Sequence, residues 1–229
     1  MKEYEINSFI EMVQLFENFR DKRYFMFRGQ NCYEWKLLPK AGRSEYIKSY
    51  SPTFTEQEIF NSWKRYAIQY LNIEPKNEMD WYALAQHHGL ATRLLDWTKN
   101  PLTALYFSVN DYFDEDAAVF IIRQKKALIF DNIDNFNPFS IEGVRIIYPK
   151  SISPRIVSQR GIFTISNTPH VPLEESSENL DVIKVKVMRN CKRDILDTLD
   201  FYGINQMSIF HDLDNLSSYL NGFAKYISR

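Results

Sequence analysis

The stretch Trp81-Tyr-Ala-Leu-Ala-Gln-His-His-Gly-Leu-Ala-Thr-Arg-Leu-Leu-Asp-Trp-Thr-Lys-Asn-Pro-Leu-Thr-Ala-Leu-Tyr-Phe107 holds the end of one helix, a strand and the start of a second helix. Helical spacing runs from about Glu78 to His88, and Gly89 suits the C-terminal cap. Thr92 to Trp97 reads as a strand. Asn100-Pro101 opens a further helix, with proline at the first turn and Leu102, Leu105, Tyr106 and Val109 turned inward. The same stretch gathers two histidines, an arginine and an aspartate, in a chain with only four histidines and seven glycines. Polar groups this dense in an apolar segment are costly to bury unless they bind one another or something else.

Toward the N-terminus, Ser8-x-x-Glu11 predicts a capped helix with Phe9, Met12, Val13, Phe16 and Phe19 on one face. Tyr24 to Phe27 reads as a short buried strand ending at Arg28-Gly29. A turn-rich stretch with Trp35, Leu37, Leu38 and Pro39 follows. Thr55-x-x-Glu58 caps another helix, with Ile59, Phe60, Trp63, Tyr66, Ala67 and Tyr70 inward. Beyond Phe107 the sequence turns strand-rich, with Val119–Ile122, Ala127–Phe130, Val144–Tyr148, Ile162–Ile165 and Val182–Val187 as candidates. The last alternates between apolar and lysine positions, so one of its faces meets water. Helices are expected at about 191–202, closed by Gly203, and at 212–225. With no repeat or long linker, the expectation is one α+β domain over 1–229, its motif core at about 8–221. Its N-terminal helices precede a mixed, mostly antiparallel sheet in the second half.

The bulk numbers narrow the function classes. The 229 residues, 45% hydrophobic and 15% aromatic, suit a globular core. Lys and Arg number 28 against 29 Asp and Glu, so no bulk field attracts nucleic acid or a membrane. Cys32 and Cys191 form no CxxC, and neither a disulfide framework nor a zinc ribbon is indicated. Met1-Lys-Glu-Tyr-Glu lacks the apolar run of a signal peptide and no apolar stretch would span a bilayer, so a cytoplasmic protein is expected. His87-His88 is not HExxH and no third ligand stands at a suggestive spacing, so no metal is expected. A P-loop, a GxGxxG element and a GxSxG elbow are all lacking from the sequence.

Each polar candidate has a structural reading beside a functional one. Helical spacing sets His88 on the face of Trp81, Leu84 and Ala85, pointing inward, and His87 about 100° away toward a cleft or solvent. Either is a core histidine bonded to a carbonyl or a proton-transfer group. Strand alternation puts Arg93 and Trp97 on one side and Asp96 and Thr98 on the other, with Leu94 and Leu95 leaving neither charge an easy route to water. They form a structural ion pair, or Arg93 holds an anion while Asp96 acts as base or orienter. Thr98 and Asn100 sit at a helix N-terminus that welcomes a phosphate or ribose oxygen. In Arg28-Gly29-Gln30 the glycine permits close backbone approach and the arginine can clamp a phosphate; the alternative is a turn glycine and a surface arginine. Gln159-Arg160-Gly161 repeats the theme before another strand. Asp212 is read as the cap of the last helix.

Phe27-Arg28-Gly29-Gln30, His87-His88-Gly89-Leu90, Thr92-Arg93-Leu94-Leu95-Asp96-Trp97-Thr98, Asn100-Pro101, Gln159 with Gly161 and Phe163-Thr164, and Gly203-Ile204 with Asp212-Leu213-Asp214 together resemble the FRG domain family. That resemblance implies a bacterial or phage intracellular protein, at times in mobile-element or defence settings, and assigns no mechanism. Ala91 stands where the family usually has proline, and His211 and Asn215 replace a proline and a glycine. The sequence is also similar, more weakly, to mono-ADP-ribosyltransferases. Arg28 resembles their first-strand arginine. Asp96-Trp97-Thr98 with Ala104 and Phe107 looks like their Ser-Thr-Ser strand and following helix. Gln159 falls where they carry a catalytic glutamate, for which Asp96 or Glu142 would have to substitute.

An ADP-ribosyltransferase-like sheet and NAD binding are what this second resemblance implies. Arg28, Gly29, Gln30, His87, Arg93, Trp97 and Thr98 are the binding candidates, and Asp96, His88 and Gln159 the catalytic ones. The expected partner is a nucleotide-like small molecule with an unknown macromolecular acceptor, for ADP-ribosyl transfer or NAD+ cleavage. Two rivals stay open: metal-independent cleavage of a nucleic-acid phosphodiester, and a non-enzymatic sensor or interaction domain whose polar block is an internal network. All of the functional readings require the polar tips to meet around an open cavity.

Overall fold

The computed structural model describes residues 2–20, 24–125, 128–129, 136–148, 161–176 and 178–227, the last five through their backbone. Its first elements are β1 (Lys2–Ile6), α1 (Phe9–Glu17) and β2 (Phe25–Gln30), followed by α2 (Ser44–Ile47), α3 (Glu56–Ala67) and α4 (Glu78–His87). Then come β3 (Leu94–Thr98), α5 (Pro101–Val109), β4 (Ala117–Gln124), β5 (Val144–Ile147), β6 (Gly161–Ser166) and α6 (Leu173–Ser176). The chain closes with β7 (Leu180–Val187), α7 (Lys192–Phe201), α8 (Gln206–Phe210) and α9 (Leu213–Ile227).

The helices start where their capping side chains stand. Ser8 Oγ accepts from Glu11 N at 3.2 Å, Thr55 Oγ1 from Glu58 N at 3.2 Å, and Asn100 Oδ1 from Leu102 N at 3.0 Å, each filling an orphan donor of a first turn. Asp212 Oδ1 likewise accepts from Asn215 N at 2.7 Å and caps α9. Gly89, at φ +84°, ends α4 in the left-handed conformation that glycine adopts without strain.

Among the described residues, seven strands form one sheet in the order β1-β7-β4-β2-β3-β6-β5. β1 runs parallel to β7 and every other pairing is antiparallel, so the fold is α+β on a mixed, mostly antiparallel sheet. The predicted strands at 119–122, 144–148, 162–165 and 182–187 fall inside or against β4, β5, β6 and β7. The strand expected at 127–130 lies mostly outside the described residues; within them Ile129 makes a single bridge to Ile146. β1 was not expected: Lys2, Glu3 and Glu5 give it a polar look, and it is recognisable only through its pairing with a strand 180 residues later. The sheet therefore draws strands from both halves of the chain.

One face of the sheet packs on α1, α5 and α7 through Met12, Phe16, Phe27, Leu105, Val119, Ile121, Val185, Ile195 and Leu199. Leu94, Phe163 and Ile165 meet α3 and α4 through Phe60, Met79, Tyr82 and Ala85. The opposite face carries Met26, Leu95, Trp97, Phe120, Ile122, Ile146 and Ile162. Each fully buried side chain of this size adds about 1.5–3 kcal/mol of hydrophobic stabilisation. On α3 the apolar face is narrower than its spacing suggests: Phe60 and Ala67 are buried, whereas Tyr66 and Tyr70 are exposed. The helix tightens to a 3-10 turn at Ile68–Tyr70, which turns Tyr70 off the inner face.

α5 lies unusually close to β2. A Cβ on Gly29 would stand 1.9 Å from the Ala104 carbonyl oxygen and 2.6 Å from Ser108 N, so only glycine lets strand and helix backbones meet there. The close approach anticipated at Gly29 is thus to a helix.

Candidate functional site

β2 pairs with β4 along six residues, Phe25 to Gln30, but with β3 only at Phe27↔Thr98. Past that pair the strands part, and Arg28, Gly29 and Gln30 on one side face Asp96 and Trp97 on the other across a split in the sheet. A cavity of about 640 Å³ opens over the split. Its walls come from α4 (Ala83, Gln86, His87), α5 (Thr103, Ala104, Phe107), β6 (Gly161, Phe163) and the segment from Trp35 to Glu45. The volume falls in the range of small-molecule sites, about 300–1,000 Å³.

The Arg28 guanidinium bridges the split. Its Nη1 donates to the Asp96 carbonyl oxygen at 2.8 Å and lies 3.6 Å from Asp96 Oδ2. The side chain is only 17% exposed, and its Nε has no acceptor. Burial lowers the Arg28 pKa; Asp96 opposes that shift and the positive charge of Arg43 adds to it. Arginine remains protonated regardless, so the site holds a largely buried positive charge. The exposed Arg43 lines the same cavity, and its side chain has no ion-pair or hydrogen-bond partner among the described residues.

Asp96 is the outward-facing partner, with its side chain 55% exposed. Gln86 holds it: Nε2 donates to Asp96 Oδ2 at 2.9 Å, while Thr92 Oγ1 donates to Gln86 Oε1 at 2.5 Å and thereby fixes the amide orientation. Asp96 Oδ1 has no hydrogen-bond partner among the described residues. The result is an oriented carboxylate beside the Arg28 guanidinium in a partly enclosed cleft that Arg43 also lines, suited to holding an anion and stabilising positive charge that develops near it. A smaller cavity of about 200 Å³, lined by Lys40, Gly89 and Leu90, shares Arg28, Arg43, Gln86 and Asp96 with the first.

Of the residues expected from sequence, Arg28, Gly29, Gln30, His87, Asp96, Trp97 and Thr98 all line this cavity. Trp97 contributes a buried indole whose Nε1 is already bonded to Thr164 Oγ1 at 2.9 Å. Thr98 Oγ1 accepts from Asn100 N at 3.0 Å. His88 does not point inward. It is exposed, because α4 ends at His87 and the helical rotation that would have buried the next side chain stops there. Asp96 reaches water, since the parted strands open its side of the sheet.

Arg93 lies elsewhere. Its Nη2 pairs with Glu56 Oε2 at 2.8 Å and its Nε with the same oxygen at 2.9 Å, both side chains being largely buried. Tyr82 Oη donates to Glu56 Oε1 at 2.6 Å and accepts from Arg93 N at 3.0 Å. Burial first, and then the Glu56 charge, push the Tyr82 phenol well above its ordinary value. This is an internal network in which the Glu56 carboxylate is matched by Arg93 and Tyr82, away from the cavity. Gln159 falls outside the described residues. Glu142 does not line the cavity.

Gln86, Arg43 and Trp35 join the site without having been marked by sequence. Gln86 belongs to the opening stretch, but its role follows only from an amide that reaches Asp96 across the β3 edge. Among the described residues, no group of three or more His, Cys, Asp or Glu could hold a metal ion, and no helix is long and apolar enough to cross a membrane.

The FRG domain family model matches residues 23–117, a segment that includes every lining residue of the larger cavity except Gly161 and Phe163. Neither a curated protein nor a solved structure matches the chain.

Proposed function

We propose, from the FRG domain that residues 23–117 form, that the split between β2 and β3 binds a phosphate-bearing nucleotide and that NAD+ is its substrate. The observation that carries this is Asp96: a carboxylate oriented by Gln86, paired with Arg28 and open to a cavity that Arg43, without a side-chain partner among the described residues, also lines. Two guanidinium groups suit the charge and bidentate geometry of a pyrophosphate. A carboxylate alongside suits the ribose that becomes cationic when the glycosidic bond breaks.

In this reaction the bond between the ribose C1′ and the nicotinamide nitrogen breaks. Its electron pair leaves with nicotinamide, which becomes neutral. Asp96 stabilises the resulting oxocarbenium ion until water or an acceptor hydroxyl or amine adds at C1′ and releases a proton. Gln86 acts as a positioning residue, holding one Asp96 oxygen so that the other faces the ribose. Asp96 thus takes the role that the weaker resemblance gives to a glutamate. Any role in phage defence would rest on depletion of NAD+ or modification of a target.

The test is nicotinamide release from NAD+, followed by liquid chromatography, for the wild-type chain and for Asp96→Asn. Wild type should release nicotinamide. Asp96→Asn should lose about two orders of magnitude or more in rate, the size typical for removing one preorganised electrostatic stabiliser, while NAD+ still raises its melting temperature. Wild type that neither releases nicotinamide nor is stabilised by NAD+ overturns the proposal. The phosphodiester reading is tested in the same preparation, where labelled RNA and DNA should stay intact.

A further inference from the structure

Trp35 lines the larger cavity and is 43% exposed as a residue, whereas Trp81 and Trp97 are buried. It meets Tyr112 edge-to-face, with ring centroids 5.2 Å apart and planes 78° from each other. That contact fixes the indole while leaving part of its surface open beside the cavity.

The wall carrying this pair is rigidly built. Asn31 Nδ2 donates to Asn110 Oδ1 at 2.8 Å and Tyr33 N to Asp116 O at 2.6 Å, joining the loop after β2 to the loop after α5. Lys192, fully buried at the start of α7, donates to the carbonyl oxygens of Tyr112 at 2.7 Å, Asn31 at 3.1 Å and Glu115 at 3.2 Å. All three ammonium donors of this lysine are used to tie the two loops together. Tyr112 itself sits at φ +51°, an unfavourable conformation for a bulky residue that persists only where the surroundings over-determine it. An aromatic pair held this firmly loses little freedom when something binds to it.

Gln30 lies next to this wall. The residue is 6% exposed and lines the cavity; its Oε1 has no partner, and among the described residues its Nε2 reaches only the Lys36 carbonyl, at 3.5 Å. A buried amide with unmet bonding capacity destabilises the free protein, and a ligand edge offering a donor and an acceptor relieves it.

We infer that Trp35 and Gln30 form the base-binding end of the site: an aromatic ring stacks on the Trp35 indole while the Gln30 amide pairs with a donor–acceptor edge of that ring. The inference rests on the nucleotide reading above and adds which part of the ligand this wall holds. Two rings of a dinucleotide carry the required edge. Adenine offers an amino donor beside a ring-nitrogen acceptor, the pattern that glutamine reads bidentately, and nicotinamide offers its carboxamide. Stacking is common to both.

The experiment titrates the full chain with AMP, nicotinamide mononucleotide and ribose 5-phosphate by calorimetry and tryptophan fluorescence, for wild type, Trp35→Ala, Trp35→Phe and Gln30→Leu. Wild type should bind at least one base-bearing ligand more tightly than ribose 5-phosphate, and whichever of the two mononucleotides it is identifies the ring. Trp35→Ala should weaken that ligand by at least about fivefold, the lower end for loss of one base–aromatic stack. It should leave ribose 5-phosphate unchanged, and Trp35→Phe should keep most of the affinity. Gln30→Leu should weaken the base-bearing ligand while leaving ribose 5-phosphate unchanged. Because Trp35 is half exposed, circular dichroism of Trp35→Ala should match wild type. If base-bearing ligands bind wild type and Trp35→Ala equally, this inference fails and the nucleotide site stands. If none of the three ligands nor NAD+ binds wild type, both fall together.

Discussion

Arg93 meets Glu56 through Nε and Nη2 and is backed by the Phe139 ring 5.3 Å away, whereas Arg28 keeps a buried Nε with no acceptor. The first arrangement is what a structural ion pair requires; the second is what an anion would complete. Removing one partner of a buried pair leaves an uncompensated charge, so Arg93→Ala should destabilise the protein by about 3–5 kcal/mol. Urea unfolding measures this, and a loss below about 1 kcal/mol, the range of exposed pairs, would show that Glu56 escapes to solvent. Local sequence gave Arg28, His87, Asp96 and Thr98 as cleft candidates because strand ends and helix ends are where polar groups can surface. It could not separate Arg28 from Arg93, since the partner that claims Arg93 lies 37 residues upstream. His88 was misplaced by a single residue: periodicity continues past the point at which Gly89 stops the helix.

Among the elements, capped helices and apolar strands were readable because their signals are local: Ser8, Thr55 and Asn100 each bond within their own first turn. β1 was not, since a polar edge strand takes its identity from its partner β7. The split between β2 and β3 was equally hidden. It depends on Gly29 holding β2 against α5 while Gln86 and Arg28 take up polar groups of Asp96 along the parted edge of β3.

On the other side of the sheet, β4 and β7 are cross-linked by charge. Asp181 on β7 is held by Arg123 on β4 and by Lys125 just beyond it, and these hydrogen bonds lower its carboxyl below the ordinary value of 3.8. A carboxylate depressed in the folded state contributes stability that is fully present above its unfolded pKa and lost as pH falls through the lower, folded one. Asp181→Asn should therefore lose stability at neutral pH and show a shallower further loss below about pH 3.8 than wild type. Parallel acid limbs in a series of denaturation curves would argue that this pair contributes nothing.

At the scale of the whole molecule, the sheet sets two polar strand ends apart, and helices from both flanks close a cavity over the gap. Arg28, Lys36 and Arg43 line that cavity together with Glu45 and Asp96, and Lys36 is engaged by Glu175 at 2.9 Å, so the cavity is marked by a concentration of charged groups and by the placement of its two remaining guanidinium groups. The overall charge of −1 conceals this, because the bulk count averages over a surface on which the cleft is a small part. An anionic ligand is the group that the Arg28 and Arg43 guanidinium groups of this cavity would hold together, and Arg43, being exposed, can be removed without unfolding the chain.

Calorimetric titration of NAD+ into the wild-type chain and Arg43→Ala is the most direct measurement of that claim. Saturable binding to wild type is predicted, weakened about tenfold in Arg43→Ala through loss of one charged contact, with both unliganded proteins melting at the same temperature. Equal affinity in the two proteins, or no heat of binding in wild type, would contradict it.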